Sequence, residues 1–104
     1  LQENLDRLRG MTDLAGSRFE ILALPMPDPV VFDGQRLPAS YANFYIANTV
    51  VLLPVYGDAN DAWAVSALHE AFPTRRILPI DCRELIWGLG AFHCLTQQQP
   101  ARPA

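Results

Sequence analysis

Residues Thr49 to Tyr56 read TVVLLPVY, a stretch without a single charge and with apolar side chains on both faces of any extended chain. Such a segment is expected as a central strand covered on both sides, because an edge or surface strand alternates apolar and polar positions. It is far too short to cross a bilayer. Gly57-Asp58-Ala59-Asn60-Asp61 follows with turn and helix-capping residue types. Ala64, Ala67, Leu68, Ala71 and Phe72 then recur at helical spacing, and Pro73 ends the pattern. Tyr41–Ala47 is the expected strand partner of the apolar run, and Arg76–Ile80 the strand beyond the helix. The order strand, strand, helix, strand makes this an α/β chain.

The flanking segments are less constrained. Leu1, Leu5, Leu8, Met11 and Ala15 define one stripe, so residues 2–15 are expected as an amphipathic helix that Gly16 ends. Phe19–Leu24 is a strand candidate, and Pro25, Pro27 and Pro29 force an extended path after it. Asp33-Gly34 marks a tight turn between Val30–Phe32 and Leu37. Cys82–Trp87 reads as a short helical turn and Ala91–Gln97 as a last strand. The tail from about residue 98 is polar, Pro-containing and loose. The pattern alone also fits a small independent α+β domain.

At 104 residues, half of them hydrophobic and 18% charged, the chain has room for one modest core. A net charge of -3 with no basic run argues against nucleic acid or an anionic membrane as partner. Cys82 and Cys94 lie outside any metal-ligand spacing. With no secretory leader they read as free thiols of a soluble, cytoplasmic chain.

The stretch with chemical content runs Gly88-Leu89-Gly90-Ala91-Phe92-His93-Cys94-Leu95-Thr96-Gln97-Gln98. Glycines let the backbone approach a ligand or a neighbouring segment. The expected geometry is a tight Gly88–Gly90 loop that delivers Cys94 at the head of a strand. A thiol there acts as a nucleophile where its surroundings favour the thiolate. Taken by itself, the motif equally fits a cysteine buried as a small hydrophobe, the role expected of Cys82. His93 would point to the opposite face of a strand from Cys94, so it is read as a packing or supporting residue. His69 lies off its helix's apolar stripe and is read as a surface residue. Asp58 and Asp61 are read as helix caps, and Asp81 has no assigned role.

The same stretch resembles the C-terminal signature of the agmatine deiminase family, which includes bacterial peptidyl-arginine deiminases. That signature is a glycine triplet, two variable residues, His-Cys, a hydrophobic residue, Thr-Gln-Gln and a proline. Leu89 stands where the second glycine belongs, which bears on loop flexibility and leaves His93-Cys94 intact. Ser40-Tyr41-Ala42-Asn43-Phe44-Tyr45-Ile46-Ala47-Asn48 and Gly57-Asp58-Ala59-Asn60-Asp61 resemble two further family segments in the right order. The resemblance covers about Leu5 to Pro100. It implies an α/β fold that forms the last one to two ββαβ units of a five-bladed propeller, the pentein fold, with residues 1–104 as the C-terminal part of one domain.

The resemblance also implies a hydrolase that needs no cofactor or metal. Cys94 would attack a guanidinium carbon, ammonia would leave, and water would cleave the thiouronium intermediate. With agmatine the product is N-carbamoylputrescine, within putrescine and polyamine metabolism. Asn43 and Gly90 are the candidate substrate-binding residues. The family's carboxylate clamps and His-x-Asp base lie toward the N-terminus of its members, outside these residues. The chain alone is therefore expected to be inactive, and to meet either missing blades or another copy of itself. An arginine or peptidyl-arginine substrate, and a non-catalytic module that keeps part of the fold, are the alternatives.

Overall fold

The computed structural model describes residues 1–103. A helix α1 (Gln2–Gly10) opens the chain. The antiparallel hairpin β1 (Val30–Phe32) and β2 (Gln35–Leu37) follows, then β3 (Tyr45–Ile46), β4 (Val50–Val55), helix α2 (Asp61–Ala71) and β5 (Arg76–Asp81). A 3-10 turn (Leu85–Gly88) and a single helical turn α3 (Phe92–Leu95) complete the set. The order β3-β4-β5 puts β4 in the middle of a three-stranded sheet. Tyr45 and Ile46 pair antiparallel with Leu52 and Val51. Beyond α2 the chain returns parallel, with Val51 opposite Ile77 and Leu53 opposite Pro79.

The central position expected for the apolar run is therefore observed, with cover on both faces. On one face Val51 and Leu53 are completely buried and Val55 is half-buried, and on the other Pro54 and Tyr56 are buried and Val50 and Leu52 half-buried. Pro54 is compatible with a middle strand because β3 pairs only as far as Leu52, so nothing on that side needs an N–H from residue 54. Ala64, Ala67 and Leu68 of α2 pack toward the sheet. Tyr41, Tyr56, Cys82, Ile86 and Ala91 complete the same core. Asp33 and Gly34 both adopt left-handed backbone, with φ of 52° and 73°. That is the two-residue turn whose twist matches a hairpin, as the Asp-Gly pair predicts.

The N-terminal expectation fails. The helix stops at Gly10, and Asp13 begins a turn whose carboxylate accepts the N–H groups of Ala15 and Ser17. Asp in this role competes with continued helix. No residue of α1 is buried and only Leu5 is half-buried, so among the described residues its apolar stripe is left largely uncovered. Phe19–Leu24 forms no strand, because no described strand pairs with it. This unpacked arm accounts for a radius of gyration of 15.7 Å, against roughly 13 Å for a compact chain of about 100 residues.

Two smaller expectations also change. Only Tyr45–Ile46 of the predicted Tyr41–Ala47 strand is extended in the sheet, since residues 41–42 form a turn. Asp58 and Asp61 do not cap α2, whose N-cap is Asn60 without a side-chain cap bond. Asp58 instead accepts the N–H groups of Asn60 and Asp28 at 2.8 Å each, and Asn60 Nδ2 donates to the Met26 carbonyl. Together they hold the Pro-rich segment against the body. Among the described residues no helix is long and apolar enough to cross a membrane.

Leu53 has no exposed surface and neighbours on every side, so Leu53→Ala should lower stability by about 2–5 kcal/mol, measured as a shift of the urea midpoint. A second test uses pH. Burial, then the hydrogen bond to Asp61 and nearby negative charge, pushes the Tyr41 hydroxyl above its ordinary range. Burial does the same for Tyr56 and for the Cys82 thiol. The folded chain thus retains protons that the unfolded chain releases. Stability should be full below the ordinary thiol value of about 9 and fall progressively as pH rises beyond it. Urea titrations from pH 7 to 11 should show this, with a shallower decline above about pH 10 in Tyr41→Phe.

Candidate active site

Cys94 is exposed, and it lies on α3 rather than at the head of a strand. The expectation of a strand over Ala91–Gln97 is therefore wrong. The Leu95 N–H bonds the carbonyl of Ala91, and Thr96 Oγ1 donates to the Phe92 carbonyl at 2.6 Å, closing a single turn. Four residues are too few to display a helical period in sequence, so alternation and helix read alike. Neighbours on a helix do not face one another either, so the case against a His93–Cys94 dyad survives on different geometry. His93 is exposed and lines the cleft, which corrects its reading as a packing residue. His69 is exposed as expected.

The loop before α3 explains Gly90. A Cβ on Gly90 would fall 2.7 Å from Cys94 Cβ and 3.2 Å from its Sγ. Only a residue without a side chain lets the cysteine fold back over the loop. Leu89 has φ of 66°, a left-handed backbone that costs a residue with a Cβ about 1–2 kcal/mol and that glycine would adopt freely. The departure from the glycine triplet thus falls on the position where a glycine has a conformational reason to be.

Asn43 reaches the same point from a position far away in the chain. The Cys94 N–H donates to Asn43 Oδ1 at 3.2 Å, and Asn43 Nδ2 donates to Cys94 Sγ at 3.2 Å. The first bond decides the second. A backbone N–H can only donate, so it takes the amide oxygen and turns the amide nitrogen toward sulfur. The His93 N–H also donates to the Asn43 carbonyl, at 3.4 Å. Asn43, Gly90 and Cys94, chosen from sequence as separate candidates, therefore meet at one place. Around them lies a shallow cleft of about 280 Å³ lined by Ser40, Ala42, Asn43, His93 and Cys94, with no carboxylate among its walls.

Other candidates lie elsewhere. Cys82 is a buried free thiol and forms no disulfide with Cys94, as expected. Asp81 forms a forked ion pair with Arg83, at 3.0 and 2.7 Å through Asp81 Oδ2, which holds its carboxyl below the usual range. Both side chains are exposed, so this pair contributes little to stability. Sequence reasoning missed the buried Tyr41 and its bond to Asp61, at 2.6 Å. A tyrosine beside a Ser-x-x-Asn turn was the available signal, but nothing local identifies an acceptor twenty residues away.

The chain has known relatives. The profile of the family described as Porphyromonas-type peptidyl-arginine deiminase matches residues 1–100. The chain belongs to that family. A relative from Selenomonas ruminantium, named "Putative agmatine deiminase", is 40% identical over 119 residues, covering 96% of this chain and 32% of its own length. The solved structure of an Enterococcus faecalis agmatine deiminase superposes with a TM-score of 0.90 at 33% identity, over 98% of this chain and 33% of that one. A C. jejuni agmatine deiminase structure gives 0.74 at 33% identity, over 89% and 26%. The mixed α/β fold is thus that of pentein-type deiminases. The chain spans about a quarter to a third of the length of these deiminases.

In this deiminase-family chain the Gly90–Cys94 contact has a direct test. Gly90→Ala should displace Cys94 from Asn43 and slow its alkylation by iodoacetamide several-fold. A Gly88→Ala variant, whose added Cβ meets nothing within 4 Å, should retain the wild-type rate.

Proposed function

We propose that this chain is the nucleophile-bearing portion of an agmatine deiminase-type hydrolase. The observation that carries the reading is the exposed Cys94 sulfur with an amide donor from Asn43 at 3.2 Å. That bond holds the sulfur in the open cleft, and a cysteine attacks as its thiolate. Cys94 Sγ forms a bond to the guanidinium carbon, and the nitrogen that departs leaves as ammonia after gaining a proton. Water then adds to the same carbon, the C–S bond breaks, and the urea product leaves with the thiol restored. With agmatine that product is N-carbamoylputrescine.

A planar guanidinium needs carboxylates in forked hydrogen bonds and a group to carry protons. The cleft walls supply neither carboxylate nor an oriented base. We therefore assign those groups to further parts of a longer polypeptide, of which residues 1–104 form a C-terminal share of one pentein-type domain. The β3-β4-α2-β5 order is one ββαβ unit of that propeller, and β1-β2 with the 3-10 turn and α3 contributes to it and its neighbour. The largely uncovered stripe of α1 and the outer edges of β3 and β5 are the surfaces that further blades, or a second copy, would cover. Arginine or a peptidyl arginine is the second reading for substrate, favoured by the description of the matched family. All three share the guanidinium, and only the tail differs.

Ammonia release is the deciding measurement. The chain alone should give no agmatine turnover above a Cys94→Ser control, because positioning and charge stabilisation are each worth several kcal/mol of barrier. A longer polypeptide containing this segment should turn over agmatine in a Cys94-dependent way, and faster than free arginine or an arginine peptide. Cys94-dependent turnover by the chain alone would mean that the site is complete here.

A further inference from the structure

We propose that Asp61, acting through Tyr41 and Tyr56, is a positioning residue that fixes the Ser40–Asn43 turn and thereby holds the Asn43 amide against Cys94. The proposal rests on the reading of Cys94 and Asn43 as the reactive pair. Asp61 lies on α2 and does not line the cleft. Its carboxylate gathers three donors. Oδ1 accepts the Tyr41 hydroxyl at 2.6 Å and the Tyr56 N–H at 3.3 Å, and Oδ2 accepts the Asp58 N–H at 3.0 Å.

The two tyrosines carry that anchorage to the turn. Tyr41 belongs to the turn itself and is completely buried, so its hydroxyl has one place to donate. The Tyr56 hydroxyl closes on Ser40 from both sides, donating to its carbonyl at 3.1 Å and accepting its N–H at 3.2 Å. Inside the turn, Ser40 Oγ accepts the Ala42 N–H and the Ser40 carbonyl accepts that of Asn43. These bonds fix Ser40, Tyr41, Ala42 and the Asn43 N–H, and Asn43 in turn supplies the hydrogen bonds from this turn to α3. Rotation of the turn would swing the amide away from sulfur while leaving α3 where it is.

The test reads Cys94 reactivity on the full chain, with no substrate needed. The rate of iodoacetamide alkylation at one pH is measured by peptide mass spectrometry, with buried Cys82 in the same sample reporting whether the fold is intact. Loss of the side-chain hydrogen bond that holds the sulfur in the cleft predicts about a fivefold slower rate in Asn43→Ala. Tyr41→Phe, which keeps the buried ring, and Asp61→Asn should each approach that rate. The pair Asp61→Asn with Asn43→Ala should be no slower than Asn43→Ala alone, since both act through one hydrogen bond.

Where Cys82 becomes reactive in Asp61→Asn, that variant has lost its fold and Tyr41→Phe decides. Wild-type rates in both Tyr41→Phe and Asp61→Asn, or effects that multiply in the double variant, would overturn the positioning role alone. A Cys94 rate that is the same in the wild type and in Asn43→Ala would overturn the reading of the reactive pair, and this proposal with it.

Discussion

The structure depends on β4. Its residues Val51 and Leu53 have no solvent-exposed surface, and it pairs antiparallel with β3 on one side and parallel with β5 on the other. Those two pairings deliver the two halves of the candidate site. The chain entering β3 carries the Ser40–Asn43 turn, and the chain leaving β5 carries the core residues Cys82 and Ile86 and then the loop to Cys94. A register shift of one residue in either pairing would turn each side chain to the opposite face and separate the halves. Site geometry here is a consequence of strand pairing.

The polar bonds then refine what the sheet places. Asp61 collects a buried hydroxyl and two backbone N–H groups, and no buried side-chain nitrogen or oxygen among the described residues lacks a partner. Such networks are costly when incomplete, so a complete one favours a single arrangement of the turn. Gly90 acts through the opposite means, by leaving empty the volume that Cys94 fills. One device sets position by directed bonds and the other by missing atoms. Both converge on the same sulfur.

The chain is well packed around β4 and almost unpacked before Leu24. Residues 1–23 are exposed apart from half-buried Leu5, yet they include Leu8, Met11, Phe19, Ile21 and Leu22. A run of apolar side chains of this extent is unusual on a surface that faces only water. It agrees with a chain whose deiminase relatives are about three times as long.

Much of the fold was readable from residue pattern. The apolar run at 49–56, the Asp-Gly hairpin turn and the Ala64/Ala67/Leu68 stripe each report a local preference, and each element formed where its pattern lay. The candidate residues Cys94, Asn43 and Gly90 came from motifs. Their meeting could not be read that way, because 51 positions separate Asn43 from Cys94 and only the sheet closes that distance. Pattern failed where an element was too short to show a period, as in α3, or lacked a partner, as in α1 and Phe19–Leu24. The amino-acid sequence by itself determined which segments favour strand, turn or helix, since those preferences act between near neighbours. Tertiary structure decided which of them became buried and which side chains share a cleft, since burial and long-range hydrogen bonds require a second surface that no local pattern contains.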